Sequence, residues 1–91
     1  MTIELSHIER LIQIGTIRVG MTRIELLSLL GPPDEEGGTS RKYSHPSIYK
    51  YGEVQFVFPQ CRNTSDASQQ GLTYAYIDES ENVHEPRYLL R

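Results

Sequence analysis

The chain has 91 residues, of which 37% are hydrophobic, and carries a formal net charge of -3 with a pI near 5.5. A chain of this length hides only about 60–65% of the surface its unfolded form exposes, so it supports one thin core, and residues 1–91 read as a single domain. The nine basic residues are scattered, their longest run being Arg41-Lys42, which argues against nucleic acid as a partner, and no stretch approaches the roughly 18–20 apolar residues that span a membrane.

Residues Met1 to Gln13 carry acids and an amphipathic pattern in place of the basic start and apolar centre of a secretory signal, so the expected setting is cytoplasmic. Ser6 and Glu9 have the spacing of a capping box, in which each side chain satisfies a free backbone donor at a helix start. A first helix over about 3–14 follows, beginning at Ser6 or slightly earlier at Thr2. Ile8, Leu11 and Ile12 form its apolar stripe, extended by Ile3 and Leu5, and Gly15 is placed to stop it. Thr22 and Glu25 repeat the capping-box spacing, with Met21 and Leu26 positioned as a hydrophobic staple. A second helix over about 23–30 is predicted to bury Ile24, Leu27 and Leu30. Gly31 and Pro32-Pro33 end it.

Asp34 to Ser40 is acidic, small and glycine-rich, and reads as a mobile connection. A short strand at about 41–45 is interrupted by Pro46. Strands at about 48–51 and 54–58 flank Gly52-Glu53, which fits a two-residue hairpin loop and sets Tyr51 opposite Val54 and Tyr49 opposite Phe56. Those four residues and Phe58 share the face expected to pack on the helices, while Ile48, Lys50, Gln55 and Val57 share the other. After the polar stretch Gln60 to Gln70, a strand at about 72–78 places Tyr74 and Tyr76 on one face and Ala75 and Ile77 on the other. The pattern assigns no element to the tail, 83–91. The fold class is therefore α+β: two short N-terminal helices on an antiparallel sheet of three strands, or four if the segment around Tyr43 joins it.

His7, His45 and His84 have no zinc-like spacing, and no metal or other cofactor is expected. Cys61 is the only cysteine, which excludes an intrachain disulfide, and it sits in a polar stretch without a nucleophile signature. Gly37-Gly38-Thr39-Ser40 lacks the lysine of a phosphate-binding loop and precedes a strand. With no catalytic constellation in view, the chain does not read as an enzyme. Tyrosine is what stands out: six residues, five of them (Tyr43, Tyr49, Tyr51, Tyr74 and Tyr76) in the presumed sheet. Tyrosine suits half-buried strand positions and is also enriched at interface hot spots. If both sheet faces carry rings, one layer of helices covers only one of them.

The run Val19-Gly20-Met21-Thr22 through Glu25, Leu29, Leu30, Gly31, Pro32 and Pro33, with the Tyr51-Gly52 hairpin and Phe56, resembles the SmpA/OmlA family of outer-membrane assembly lipoproteins. It is also similar to the repeat module of the β-lactamase inhibitor proteins. The resemblance implies an αα-βββ module over about residues 5–78 that acts by protein–protein contact, and it carries no functional residue over. The chain shows neither the signal segment nor the lipid-bearing cysteine of the outer-membrane family. By size and acidity it also looks like the immunity proteins of bacterial toxin systems.

The function these observations favour is a non-enzymatic interaction module, of immunity or regulatory type, binding a protein partner. Candidate contact residues are Tyr43, Tyr74 and Tyr76 on the sheet and Arg62 in the 60–70 stretch. Two alternatives stand beside it. One is a small-molecule binder or enzyme with a pocket between helices and sheet, using Tyr49, His45 or Arg41; the other is a homodimer joined through a strand edge or sheet face.

Overall fold

The computed structural model describes residues 3–42, 45–60, 70–77 and 87–91. Helix α1 (Leu5–Gln13) starts earlier than a Ser6 cap would place it. Glu4 is its extended N-cap and makes no side-chain cap, and Ser6 is an exposed residue inside the first turn, so the Ser6–Glu9 box does not form. The earlier start brings Leu5 against the core beside Ile8, Leu11 and Ile12. At the other end Gly15 adopts φ 84°, letting its own N–H donate to Ile12 O (3.1 Å) and Thr16 N–H reach Leu11 O (2.9 Å). This is a Schellman stop, which satisfies carbonyls that the helix itself leaves unpaired.

Helix α2 (Arg23–Leu30) carries the capping box read from Thr22 and Glu25: Glu25 N–H donates to Thr22 Oγ1, and Thr22 N–H donates to Glu25 Oε1, each at 3.2 Å. The backbone bond from Thr22 is the main reason the Glu25 carboxyl lies below its usual pKa, and the Arg18 guanidinium 3.5 Å away adds to it. The buried face of α2 differs from the predicted one. Arg23, Leu26 and Leu30 point inward, Leu27 is half-buried, and Ile24 is 62% exposed. A helix this short with apolar residues nearly all round can be rolled either way by its pattern. Arg23, whose polar contacts lie inward, sets the roll.

Among the described residues the sheet has five antiparallel strands, where three or four were expected, in the order β1 (Glu35–Gly37), β2 (Ile48–Tyr51), β3 (Val54–Val57), β4 (Tyr74–Ile77), β5 (Arg87–Leu90). The hairpin register is as read: Tyr51 faces Val54 and Tyr49 faces Phe56 across Gly52-Glu53. The two additional strands are its edges. Strand β1 arises within the acidic stretch taken for a mobile connection. Asp34 N–H donates to Lys50 O (2.8 Å), and the Asp34 carboxylate accepts Gly52 N–H (2.6 Å), pinning the chain beside β2 before Glu35 and Glu36 pair with Lys50 and Tyr49. Of the strand expected at 41–45, Arg41, Lys42 and His45 lie outside any strand, and Tyr43 and Ser44 fall outside the described residues. Strand β5 comes from the tail to which the sequence pattern assigns no element.

The core lies between the helices and one sheet face. Ile8, Leu26 and Leu30 meet Tyr49, Tyr51, Val54, Phe56, Phe58, Ala75 and Ile77, with Ile17, Met21 and Leu72 closing one end. The rings pack edge to face, Tyr49 on Phe58 and Tyr51 on Phe56. Tyr51 is buried but keeps its hydroxyl satisfied by donating to Gly31 O (2.7 Å), which ties the end of α2 to β2. Before β4, Gly20 N–H donates to Leu72 O and Leu72 N–H to Met21 O, a short ladder joining the entry of α2 to the sheet.

Candidate interaction surface

Period-two alternation turns Ile48 and Lys50 of β2, Gln55 and Val57 of β3, Tyr74 and Tyr76 of β4 to the face opposite the helices. Registration across the strands arranges them in two rungs. One runs Gly37, Ile48, Val57, Tyr74; the other runs Glu35, Lys50, Gln55, Tyr76, Tyr88. All these side chains from β2 to β4 are half-buried, and Tyr88 on the edge is exposed. The face grades from charged at β1, where Lys50 and Glu35 pair at 3.8 Å, to aromatic at β4 and β5.

The aromatic end is a three-ring cluster. Tyr74 lies 5.8 Å from Tyr76 and 5.7 Å from Tyr88, and Tyr76 lies 6.3 Å from Tyr88, centroid to centroid. The Tyr76 hydroxyl donates to Gln55 Oε1 (2.9 Å), which fixes its ring, and the Arg91 guanidinium sits 4.6 Å over the Tyr88 ring. Rings that are already packed on one another lose little freedom when a partner covers them, which is why rigid tyrosines suit contact surfaces. Of the residues singled out in the sequence, the structure brings Tyr74 and Tyr76 together; Tyr43 and Arg62 lie outside the described residues. Tyr88 and Arg91 were missed. The signal was there as a Tyr-Leu-Leu run after Pro86, too short to be assigned without its pairing to β4.

Arg23 organises the end of the sheet nearest the 60–70 stretch. Only 4% exposed, it donates from Nε to Pro46 O (3.0 Å), from Nη1 to Gln70 Oε1 (3.1 Å) and from Nη2 to Pro59 O (2.7 Å), while its guanidinium lies 4.9 Å over the Phe58 ring. It thus holds the two ends of that stretch, at Pro59 and Gln70, against α2. Its role is to position backbone.

Of the groups proposed for a small-molecule pocket, Tyr49 is buried against Phe58, His45 is half-buried and Arg41 is exposed. Among the described residues no buried side-chain nitrogen or oxygen lacks a partner, and no three His, Cys, Asp or Glu side chains gather in metal-binding geometry. No helix among those residues is long and apolar enough to cross a membrane. A second apolar exposure lies on α2, where Ile24 and Leu29 line a shallow groove with Thr16, Arg18, Met21 and Ser28. Comparison of the chain with protein-family models, with curated proteins and with solved structures gave no match.

Proposed function

We propose that the chain is a non-enzymatic protein-binding module whose contact surface is the outer sheet face centred on Tyr74, Tyr76 and Tyr88. The observation that carries the reading is the packed three-tyrosine cluster on the side of the sheet that the helices do not occupy. Ile48 and Val57 continue it as an apolar floor, and Lys50 and Glu35 supply a charged rim, the apolar centre and polar margin typical of recognition surfaces. The likeness to SmpA/OmlA proteins and β-lactamase inhibitor modules, which act by contact, supports the same reading. An immunity or regulatory role suits a small acidic chain of this kind.

The test is affinity capture of the tagged protein from extracts of its own cells, comparing wild type with Tyr74→Ala/Tyr76→Ala and with Ile24→Ser on the opposite side. Hot-spot tyrosines cost about 2 kcal/mol each when truncated, roughly thirtyfold in Kd. One specific protein should be retained by wild type and Ile24→Ser and lost from the double variant. A partner held equally well by a folded double variant would refute the assignment.

A further inference from the structure

Both edges of the sheet discourage further strands, which leaves the face for contact. Strand β1 is three residues long and carries Glu35 and Glu36. Strand β5 is bulged, begins at Arg87 and is followed by Arg91. The bulge also decides which way Arg91 points. Tyr88 pairs with Tyr76 and Leu90 with Ala75, so Leu89 is an extra residue, and Leu89 and Leu90 both pack against the core. Strict alternation from Tyr88 would turn Leu90 outward and Arg91 towards the helices. The added residue reverses this, and the Arg91 guanidinium lies 4.6 Å over the Tyr88 ring.

The polar groups at this end of the face have donors to offer. The Tyr76 hydroxyl donates to Gln55 Oε1, whereas the Tyr74 and Tyr88 hydroxyls and the Arg91 guanidinium have no hydrogen-bond or ion-pair partner among the described residues. Among those residues the acid on this face is Glu35, which is paired with Lys50. It lies four strands away from β5, roughly 19 Å at the usual strand spacing and beyond the screening length of about 8 Å in physiological salt.

We propose that the partner of this face presents a carboxylate, an Asp or Glu beside an apolar side chain, which docks on Arg91 while the apolar group covers Tyr74 and Tyr76. The proposal rests on the protein-binding reading and names the chemistry of the partner. Stacking on Tyr88 holds the guanidinium in place, and its planar fork matches a carboxylate with two parallel hydrogen bonds. A basic partner would instead set like charge against Arg91 as water is excluded. The net charge of -3 taken alone would select a basic partner, so the local and overall charges make opposite predictions.

The probe is a library of random peptides displayed on phage, panned against wild type, Tyr74→Ala/Tyr76→Ala, Arg91→Glu and Arg87→Glu. Arg87 is the control: an exposed arginine of the same strand, it pairs with Ile77 and lines the groove beside α1 instead of the tyrosine face. Wild type and Arg87→Glu should enrich the same peptides, carrying Asp or Glu next to an aromatic or aliphatic residue. Synthesised singly, those peptides should bind Arg91→Glu at least about tenfold more weakly, and bind wild type more weakly as salt rises. Both arginines are exposed, so circular dichroism should be unchanged. Peptides that need Tyr74 and Tyr76 but bind Arg91→Glu as tightly as wild type, or that carry basic residues in place of acids, would overturn the carboxylate assignment and leave the surface standing. Peptides held equally by the tyrosine variant, or a library from which wild type enriches nothing, would overturn both.

Discussion

Replacing Arg23 with methionine keeps the aliphatic stem in its place under α2 and removes only the guanidinium, so it isolates what the polar head contributes. Three donated hydrogen bonds disappear, two of them to the backbone carbonyls of Pro46 and Pro59, together with the contact over Phe58. Charge-assisted bonds are worth about 1.5–3 kcal/mol each, and the cation–π contact about 0.5–2 kcal/mol. Against these stands the desolvation of a nearly buried cation, a cost of several kcal/mol that the substitution relieves. Both carbonyls belong to residues that water partly reaches, Pro59 being exposed and Pro46 half-buried, which limits the penalty for orphaning them. The net loss should be about 2–4 kcal/mol. In urea, with a slope of about 1.5 kcal/mol per molar for a chain of this size, the midpoint should fall by roughly 1.5–2.5 M. Arg23→Lys should do no better than methionine, because an ammonium group keeps the buried charge without the planar fork that reaches three acceptors in different directions. A methionine variant within about 0.5 kcal/mol of wild type, the scatter of ordinary surface substitutions, would refute the account of Arg23 as the clamp of this end of the sheet.

Tyr51→Phe should cost about 1 kcal/mol by leaving Gly31 O without its donor, measured by chemical denaturation at neutral pH. The same substitution should alter alkaline stability. Burial, with nearby Tyr49, Glu36 and Asp34 adding to it, pushes the Tyr51 phenol up from 10 to about 12. The folded state thus holds its proton more tightly than the unfolded state, so the contribution is complete below pH 10 and is lost as pH rises from 10 towards 12. Wild type should therefore lose stability faster over that window than Tyr51→Phe, and parallel curves would contradict the assignment. Gly71→Ala should be severe: a Cβ there would stand 2.6 Å from both Cα and the carbonyl oxygen of Gly20, forcing apart the ladder between α2 and β4. A loss of about 2 kcal/mol, or some 8 °C or more in Tm, is expected, whereas Gly37→Ala, whose Cβ meets Ile48 at 3.7 Å in ordinary contact, should melt close to wild type.

What could be read from the sequence was what neighbouring residues decide among themselves. Thr22 and Glu25 cap α2 because the two groups are three residues apart, and Gly52-Glu53 sets the β2–β3 register because a two-residue loop leaves no other. The roll of α2 was not legible. Apolar residues at 24, 26, 27, 29 and 30 nearly encircle the helix, and the deciding bonds join Arg23 to carbonyls 23 and 36 residues away. Both edge strands were hidden for a similar reason: β1 is two glutamates and a glycine, with no strand propensity of its own, and it exists because Asp34 is pinned to Lys50 and Gly52. The candidate surface was half legible, since alternation gives Tyr74 and Tyr76 a common face, but the third ring depends on β5 being paired to β4.

The strand order along the sheet repeats the strand order along the chain. Each strand therefore finds its partner in the segment just made, and the sheet can grow by successive hairpin closures without any element having to cross another. Topologies of this kind have low contact order and fold quickly for a β-rich chain. The long-range steps are then those that bring the helical half onto a sheet already registered: the Gly20–Leu72 ladder and Arg23 at one corner, the Tyr51–Gly31 bond at the end of α2, and α1 against β5. Substitutions in the β2–β3 hairpin should consequently slow folding, and those at Arg23 or Gly71 should mainly speed unfolding.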